Sequence, residues 1–304
     1  MVLAASLFGT LGFLSRTVVG LGMGAVDFVA WRAGLAMLVL IVLGLVLGPR
    51  GAVGRLRQAS RRRQLALLVT GLLGALLNIA IFIAFQRTAI ALVLICLYTF
   101  PAMVTLAAVP LYGDRLERRR VIALVVSSAG LVLVLLAPAF DSAGGLLIDP
   151  LGVALALFAA ACQAAFVLIT GRGFAPLNSR DVATFLLAAA LVVSSIVLLA
   201  SGQLDWVSAP LAEPRLWPWL LAAGILGGTI PTVAWVAGIG IVGPARAAIL
   251  MTFEPVVGVT LAALLLGERP VPLQLVGGAA VLAAAVLLQT TPSRGPVGPE
   301  AQIA

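Results

Sequence analysis

A single carboxylate interrupts one of the most apolar stretches of this 304-residue chain. In "ILMTFEPVVGVTLAALLLGERP", Glu254 is followed directly by Pro255, and the next charged residue is Glu268. Such a carboxylate can bind a proton or the ammonium group of a small molecule, or it can be protonated and hydrogen-bonded to a neighbouring helix to hold the fold. Pro255 has no backbone N–H, so it leaves open a carbonyl in the preceding turn that could accept a hydrogen bond from a substrate.

A second charge, Arg32 in "DFVAWRAGLAM", lies about seven residues into another apolar segment, which corresponds to a depth of roughly 10 Å along a helix. It could attract a substrate carboxylate, or extend its stem to the membrane surface and pair with backbone carbonyls. Further candidates could line the same polar region or be ordinary packing and interhelical contacts. They are Asn78, Tyr98, Gln163 and Trp235.

Composition indicates what must position these residues. Hydrophobic residues make up 62% of the chain and charged residues only 10%, whereas soluble proteins have about 25% charged residues. Because the chain cannot cover itself with a polar surface, we expect an integral membrane protein. All 19 basic residues are arginine and histidine is absent, which removes the commonest general base and metal ligand.

Ten apolar segments are long enough to cross a bilayer, which takes about 20 residues per helix. We therefore predict an all-α membrane protein with ten transmembrane helices. The predicted spans are 2–21, 25–47, 64–86, 88–110, 119–137, 150–170, 181–201, 217–240, 244–266 and 271–289. Several small residues share one face of the third and the eighth span, which should let neighbouring helices approach closely. The Pro- and Gly-rich end, 291–304, is expected to be a disordered tail.

The arginines predict the orientation of these spans. Fourteen fall in loops on one side of a ten-span chain, and four fall on the other side: Arg16, Arg87, Arg215 and Arg269. Because basic loops are retained in the cytoplasm, both termini should be cytoplasmic. Exclusive use of arginine is typical of a GC-rich bacterial genome, so we expect the cytoplasmic (inner) membrane.

The chain contains an internal duplication. A gapless shift of 154 residues superposes Pro101 on Pro255 and Gly113 on Gly267, and the Asp-Arg and Glu-Arg pairs that follow also superpose. The same shift pairs Glu254 with Phe100, so the carboxylate has no counterpart in the first half. We predict one five-helix repeat in 1–140 and a second in 150–290.

The odd number of spans in each repeat has a functional consequence. The second repeat must enter the membrane from the opposite side, which makes the two repeats inverted. Inverted repeats place a binding site near the membrane midplane, at the interface of the halves, and allow the protein to open to either side.

The segment "TFEPVVGVTLAALLLGERPVPLQLVGGAAVLAAAVLL" and the opening pattern "SLFGTLGFLSR…VDFVAWRAGLAMLVL" resemble the EamA family of the drug/metabolite transporter superfamily. The resemblance covers nearly the whole chain. It implies a ten-helix exporter or permease for small metabolites such as amino acids, amines, sugars or toxic compounds, without fixing the substrate. It also implies a basic residue at the position of Arg32.

Two other classes of function compete with a transporter. A membrane enzyme acting on lipid-linked substrates would need clustered acids for a metal, or His and Asp for catalysis. A facilitative channel would need no moving gate, and inverted duplication favours one. We predict a secondary transporter, a candidate for proton coupling, without cofactor or metal. Its expected partners are membrane lipid and a small-molecule metabolite, not nucleic acid, and a homodimer is left open as an alternative to a monomer.

Overall fold

The structure is a computed structural model that describes residues 1–47, 52–88, 90–113, 117–141, 149–202, 207–266 and 271–289. Within these ranges the chain is helical and contains no β-strand. The predicted tail, 291–304, lies outside the described residues.

The helices form ten spans in chain order, which confirms the predicted fold class. Span 1 is Val2–Gly20, span 2 Ala25–Leu47, span 3 Arg61–Arg87, span 4 Ile90–Leu97 with Phe100–Tyr112, span 5 Arg118–Asp141, span 6 Pro150–Gly171, span 7 Ser179–Ala200, span 8 Leu216–Gly224 with Ile225–Thr229 and Ile230–Val242, span 9 Pro244–Leu250 with Phe253–Leu266, and span 10 Pro272–Gln289. In the described parts of the chain, nine spans are long and apolar enough to cross a membrane, and span 10 contributes a shorter apolar helix.

Three spans are interrupted, although the sequence predicts continuous helices. Span 4 breaks at Tyr98 and Thr99, and span 9 breaks at Met251 and Thr252. Span 8 widens into a π-turn over Ile225–Thr229. Each interruption is followed by a proline in the first turn of the next helical segment, which has no N–H to donate to the carbonyl four residues earlier. The residues on both sides of each break are equally apolar, so hydropathy alone does not reveal it.

The breaks in spans 4 and 9 are related by the repeat with a local slip of one residue. The hydroxyls of Thr99 and Thr252 each donate to the carbonyl three residues earlier, at 2.6 and 2.7 Å. These threonines are 153 residues apart, one less than the shift that superposes the prolines. At the break, Glu254 therefore corresponds to Pro101 and not to the predicted Phe100. In either register the carboxylate has no counterpart.

Eight spans pack into two four-helix bundles. Bundle A consists of spans 1, 2, 8 and 9, and bundle B consists of spans 6, 7, 3 and 4. The repeat relates the two bundles to each other. Span 1 corresponds to span 6, span 2 to span 7, span 8 to span 3, and span 9 to span 4. The bundles meet where span 2 packs on span 7 and where the broken spans 4 and 9 cross. Spans 5 and 10 pack mainly against each other.

Small residues bring the helices of each bundle together, as the sequence predicts. In bundle A, a Cβ added to Gly228 would lie 2.6 Å from the Cβ of Ala36 on span 2. In bundle B, a Cβ added to Gly71 would lie 2.8 Å from the Cβ of Ala189 on span 7. Any larger side chain would force these helix pairs apart.

A short helix that the sequence did not predict, Ala52–Gln58, precedes span 3. Its Arg55 donates to both carboxylate oxygens of Asp181 at the start of span 7, at 2.5 and 2.7 Å. Asp181 also accepts from the backbone N–H of Asn178 at 3.1 Å, so its carboxylate is fixed by a capping box. The hydrogen bond with Asp181 raises the pKa of Arg55 above its ordinary value. Gln64 of span 3 donates to a carbonyl of the short helix at 2.9 Å, which fastens it to bundle B.

Candidate functional site

Glu254 lies at the first turn of the second half of span 9. The whole of span 9 crosses the membrane over Pro244–Leu265, so the carboxylate is near the midpoint. The N-terminal end of a helix carries a partial positive charge, which stabilises a carboxylate there. The residue lies deep within the protein but remains partly exposed, as expected of a group that borders an internal space.

The sequence suggested that the carbonyl deprived of a helical donor by Pro255 is open to a substrate. In the structure this carbonyl already has a hydrogen-bond donor. It belongs to Met251, and it accepts a hydrogen bond from the backbone N–H of Glu254 at 3.0 Å. Span 9 breaks completely just before the helix restarts at Phe253. Pro255 therefore ends the first half-helix and sets Glu254 at the beginning of the second.

Tyr98 connects the carboxylate to the other bundle. It occupies the break of span 4 in bundle B, and its hydroxyl is positioned to donate a hydrogen bond to Glu254 in bundle A. The tyrosine is only 6% exposed, and its ring centroid lies 6.0 Å from that of Phe100. The two broken helices therefore pack together where this hydroxyl and this carboxylate face each other, in the middle of the protein.

Arg32 supplies the opposite charge. One guanidinium nitrogen, Nη1, donates to the backbone carbonyl of Gly227 in the π-turn of span 8 at 3.1 Å. The guanidinium also attracts the Glu254 carboxylate electrostatically. Of the two alternatives drawn from the sequence, Arg32 takes the backbone carbonyl as its partner, but it points into the protein rather than to the membrane surface.

The remaining sequence candidates are more ordinary. Asn78 donates to the Gly74 carbonyl of its own helix at 2.7 Å, so this hydrogen bond does not link helices. Trp235 is 4% exposed and belongs to the apolar core that also contains Tyr98. Gln163 is partly buried on span 6, and the shift of 154 residues pairs it with Gly9 of span 1.

Gly9 is a site residue that sequence reasoning missed. A Cβ at this position would lie 2.9 Å from the backbone carbonyl of Glu254, so glycine lets span 1 support the turn that carries the carboxylate. Its repeat counterpart, Gln163, lies on span 6, which packs against the broken span 4. The pairing of a glycine with a glutamine was a readable signal of a difference between the two bundles.

The arrangement can bind a proton or a charged group near the membrane midplane. The described residues contain no group of three or more His, Cys, Asp or Glu that could hold a metal ion. Glu254 can accept a proton or pair with a cationic group. When Glu254 is neutral, Arg32 is available to an anionic group, because its only other described partner is an uncharged carbonyl.

Ten apolar spans in two inverted repeats, with a carboxylate and a guanidinium between two bundles, define a multi-pass membrane protein of the transporter class. The model of the EamA-like transporter family matches residues 1–136 and 150–290, and the chain belongs to this family. A crystal structure with 22% sequence identity superposes with a TM-score of 0.74 over 94% of this chain and 94% of that chain, which shows a common fold. A comparison with curated proteins gives no match.

Proposed function

We propose that the chain is a secondary transporter that exports small metabolites such as amino acids or amines by alternating access, with Glu254 as the coupling carboxylate. The observation that carries this proposal is that Tyr98 in bundle B is positioned to donate a hydrogen bond to Glu254 in bundle A. A substrate ammonium group or a proton that binds Glu254 competes with this bond. Occupancy of the site is thereby linked to the contact between the bundles.

Alternating access follows from the repeat. Bundles A and B are pseudo-symmetric, so rocking one against the other opens the midplane to one side and closes it to the other. We also propose that the protein lies in the inner membrane of a bacterium with both termini in the cytoplasm, since most loop arginines lie at one end of the spans.

The test is uptake into proteoliposomes with four radiolabelled probes: L-alanine, L-glutamate, putrescine and D-glucose. Each probe is measured with and without a pH gradient for the wild type and for Glu254→Gln. Glu213→Gln, a partly exposed acid outside the spans, is the matched control. We expect saturable uptake of at least one probe that responds to the gradient and is lost in Glu254→Gln but kept in the control.

Three results contradict the proposal. Equal uptake by wild type and Glu254→Gln would assign Glu254 to the fold alone. Non-saturable flux would favour a channel, and a product of altered chemical structure would favour a membrane enzyme.

A further inference from the structure

The carbonyl that receives Arg32 is left open by the sequence of span 8. In a continuous α-helix the Gly227 carbonyl would accept from the N–H four residues later. That position is Pro231, which has no N–H and whose ring crowds the carbonyl four residues before it. The helix widens into the π-turn Ile225–Thr229, which is closed by a hydrogen bond from Ile230 to the Ile225 carbonyl.

Thr229 holds this turn in place. The residue is 5% exposed, and its hydroxyl lies 3.0 Å from the Gly224 carbonyl and 3.3 Å from the Ala36 carbonyl, either of which it can donate to. The first bond satisfies a carbonyl in the widened turn. The second ties the turn to span 2 one helical turn after Arg32, so the hydroxyl connects the two helices that face each other at the guanidinium.

Bundle B lacks every part of this arrangement. The counterparts of Arg32, Gly227, Thr229 and Pro231 after the shift of 154 residues are all apolar, namely Leu186, Leu73, Ala75 and Leu77. Span 3, the counterpart of span 8, is one continuous helix. A feature required by the fold would be expected in both bundles. Gly227, Thr229 and Pro231 instead occur only in bundle A, which also carries Arg32.

We propose that the π-turn of span 8 is a mount for Arg32, and that Thr229 and Pro231 are positioning residues of the transport site. Pro231 keeps the Gly227 carbonyl open for the guanidinium. Thr229 fixes the turn that holds the guanidinium. The consequence for uptake rests on the proposed function, but the coupling of Thr229 to Arg32 can be measured without any substrate.

A double-mutant cycle in detergent tests this coupling. Thermal unfolding, followed by tryptophan fluorescence, is compared for the wild type, Thr229→Val, Arg32→Met and the double variant. Thr229→Val should lower the midpoint by about 4 °C in the wild-type background and by less than half as much in the Arg32→Met background, because the bond it supports is already gone. Thr229→Ser, which keeps the hydroxyl, should restore the wild-type midpoint. Equal losses in both backgrounds would overturn the proposal.

Pro231→Ala separates positioning from stability. It returns an N–H to position 231, which recaptures the Gly227 carbonyl and releases Arg32, while alanine is the better helix former. We expect a protein at least as stable as the wild type whose maximal uptake of the probes transported by the wild type falls about tenfold, equivalent to about 1.4 kcal/mol. Pro110→Ala, which removes an exposed proline inside span 4, should keep normal uptake.

Unchanged uptake in Pro231→Ala would also overturn the proposal. If the wild type moves none of the four probes, the proposed function fails, and the unfolding cycle alone decides whether the mount exists. The two failures are therefore distinguishable.

Discussion

Removal of one hydroxyl, in Tyr98→Phe, should weaken the contact between the bundles. The Tyr98 hydroxyl is positioned to donate to the Glu254 carboxylate in the protein interior. A hydrogen bond to a charged group contributes about 1.5–3 kcal/mol. If the bond exists only while the bundles touch at this point, its loss shifts their equilibrium toward separation by about 10- to 100-fold, at 1.4 kcal/mol for each factor of ten.

Tyr112→Phe is a matched control, because these are the two tyrosines of the chain. The Tyr112 hydroxyl donates to the Leu168 carbonyl, and both residues belong to bundle B. Loss of this hydroxyl should reduce stability without separating the bundles.

Pulsed EPR distances between the bundles measure the effect. Cys96 and Cys162 are buried and free, so both are first replaced by alanine. Spin labels are then attached at Ile241 in bundle A and Arg62 in bundle B, which are exposed at the same end of the spans. Tyr98→Phe should broaden or lengthen the distance distribution, and Tyr112→Phe should leave it unchanged. Identical distributions for Tyr98→Phe and the wild type would refute the reasoning.

Two further substitutions test the packing. Arg55→Ala removes a bidentate partner from the buried carboxylate of Asp181 and should lower the free energy of unfolding by about 1–2 kcal/mol, measured as a lower unfolding midpoint. Arg57→Ala, on the exposed side of the same helix, should change the midpoint little. Equal midpoints for the two variants would contradict the role of the ion pair. Gly228→Ala should destabilise the protein by about 1–3 kcal/mol because its Cβ would overlap span 2. Gly240→Ala, where an added Cβ meets open space, should stabilise the protein by about 0.5–1 kcal/mol. A change in stability of the same sign at both positions would contradict the close approach of spans 2 and 8.

The spans were predictable because length and composition determine them directly. A segment of about 20 apolar residues has few alternatives to a membrane helix. The internal breaks were not predictable in this way. The residues on either side of Tyr98 are as apolar as those of a continuous helix, and Pro101 by itself is compatible with either a kink or a restart. The helix Ala52–Gln58 was hidden because its arginines read as an ordinary basic loop.

The site was only half visible in the sequence. Glu254 and Arg32 stand out because a charge inside an apolar segment needs a specific reason. Their partners do not, since Gly227 contributes only a backbone carbonyl and Thr229 resembles any threonine bonded within its helix. The contact of Tyr98 with Glu254 depends on how spans 4 and 9 cross, which no local pattern specifies. Comparison of the two halves, position by position, would have identified Thr229 and Pro231 as departures from the repeat.

The repeat supplies two similar bundles, but the charge is concentrated in one of them. Bundle A carries Arg32 and Glu254, and bundle B offers the hydroxyl of Tyr98. This asymmetry suits the proposed function. A group bound to bundle A keeps the same charged partners when bundle B moves from one side of the site to the other. The two similar bundles can then provide the motion, while Arg32 and Glu254 stay bound to the substrate throughout it.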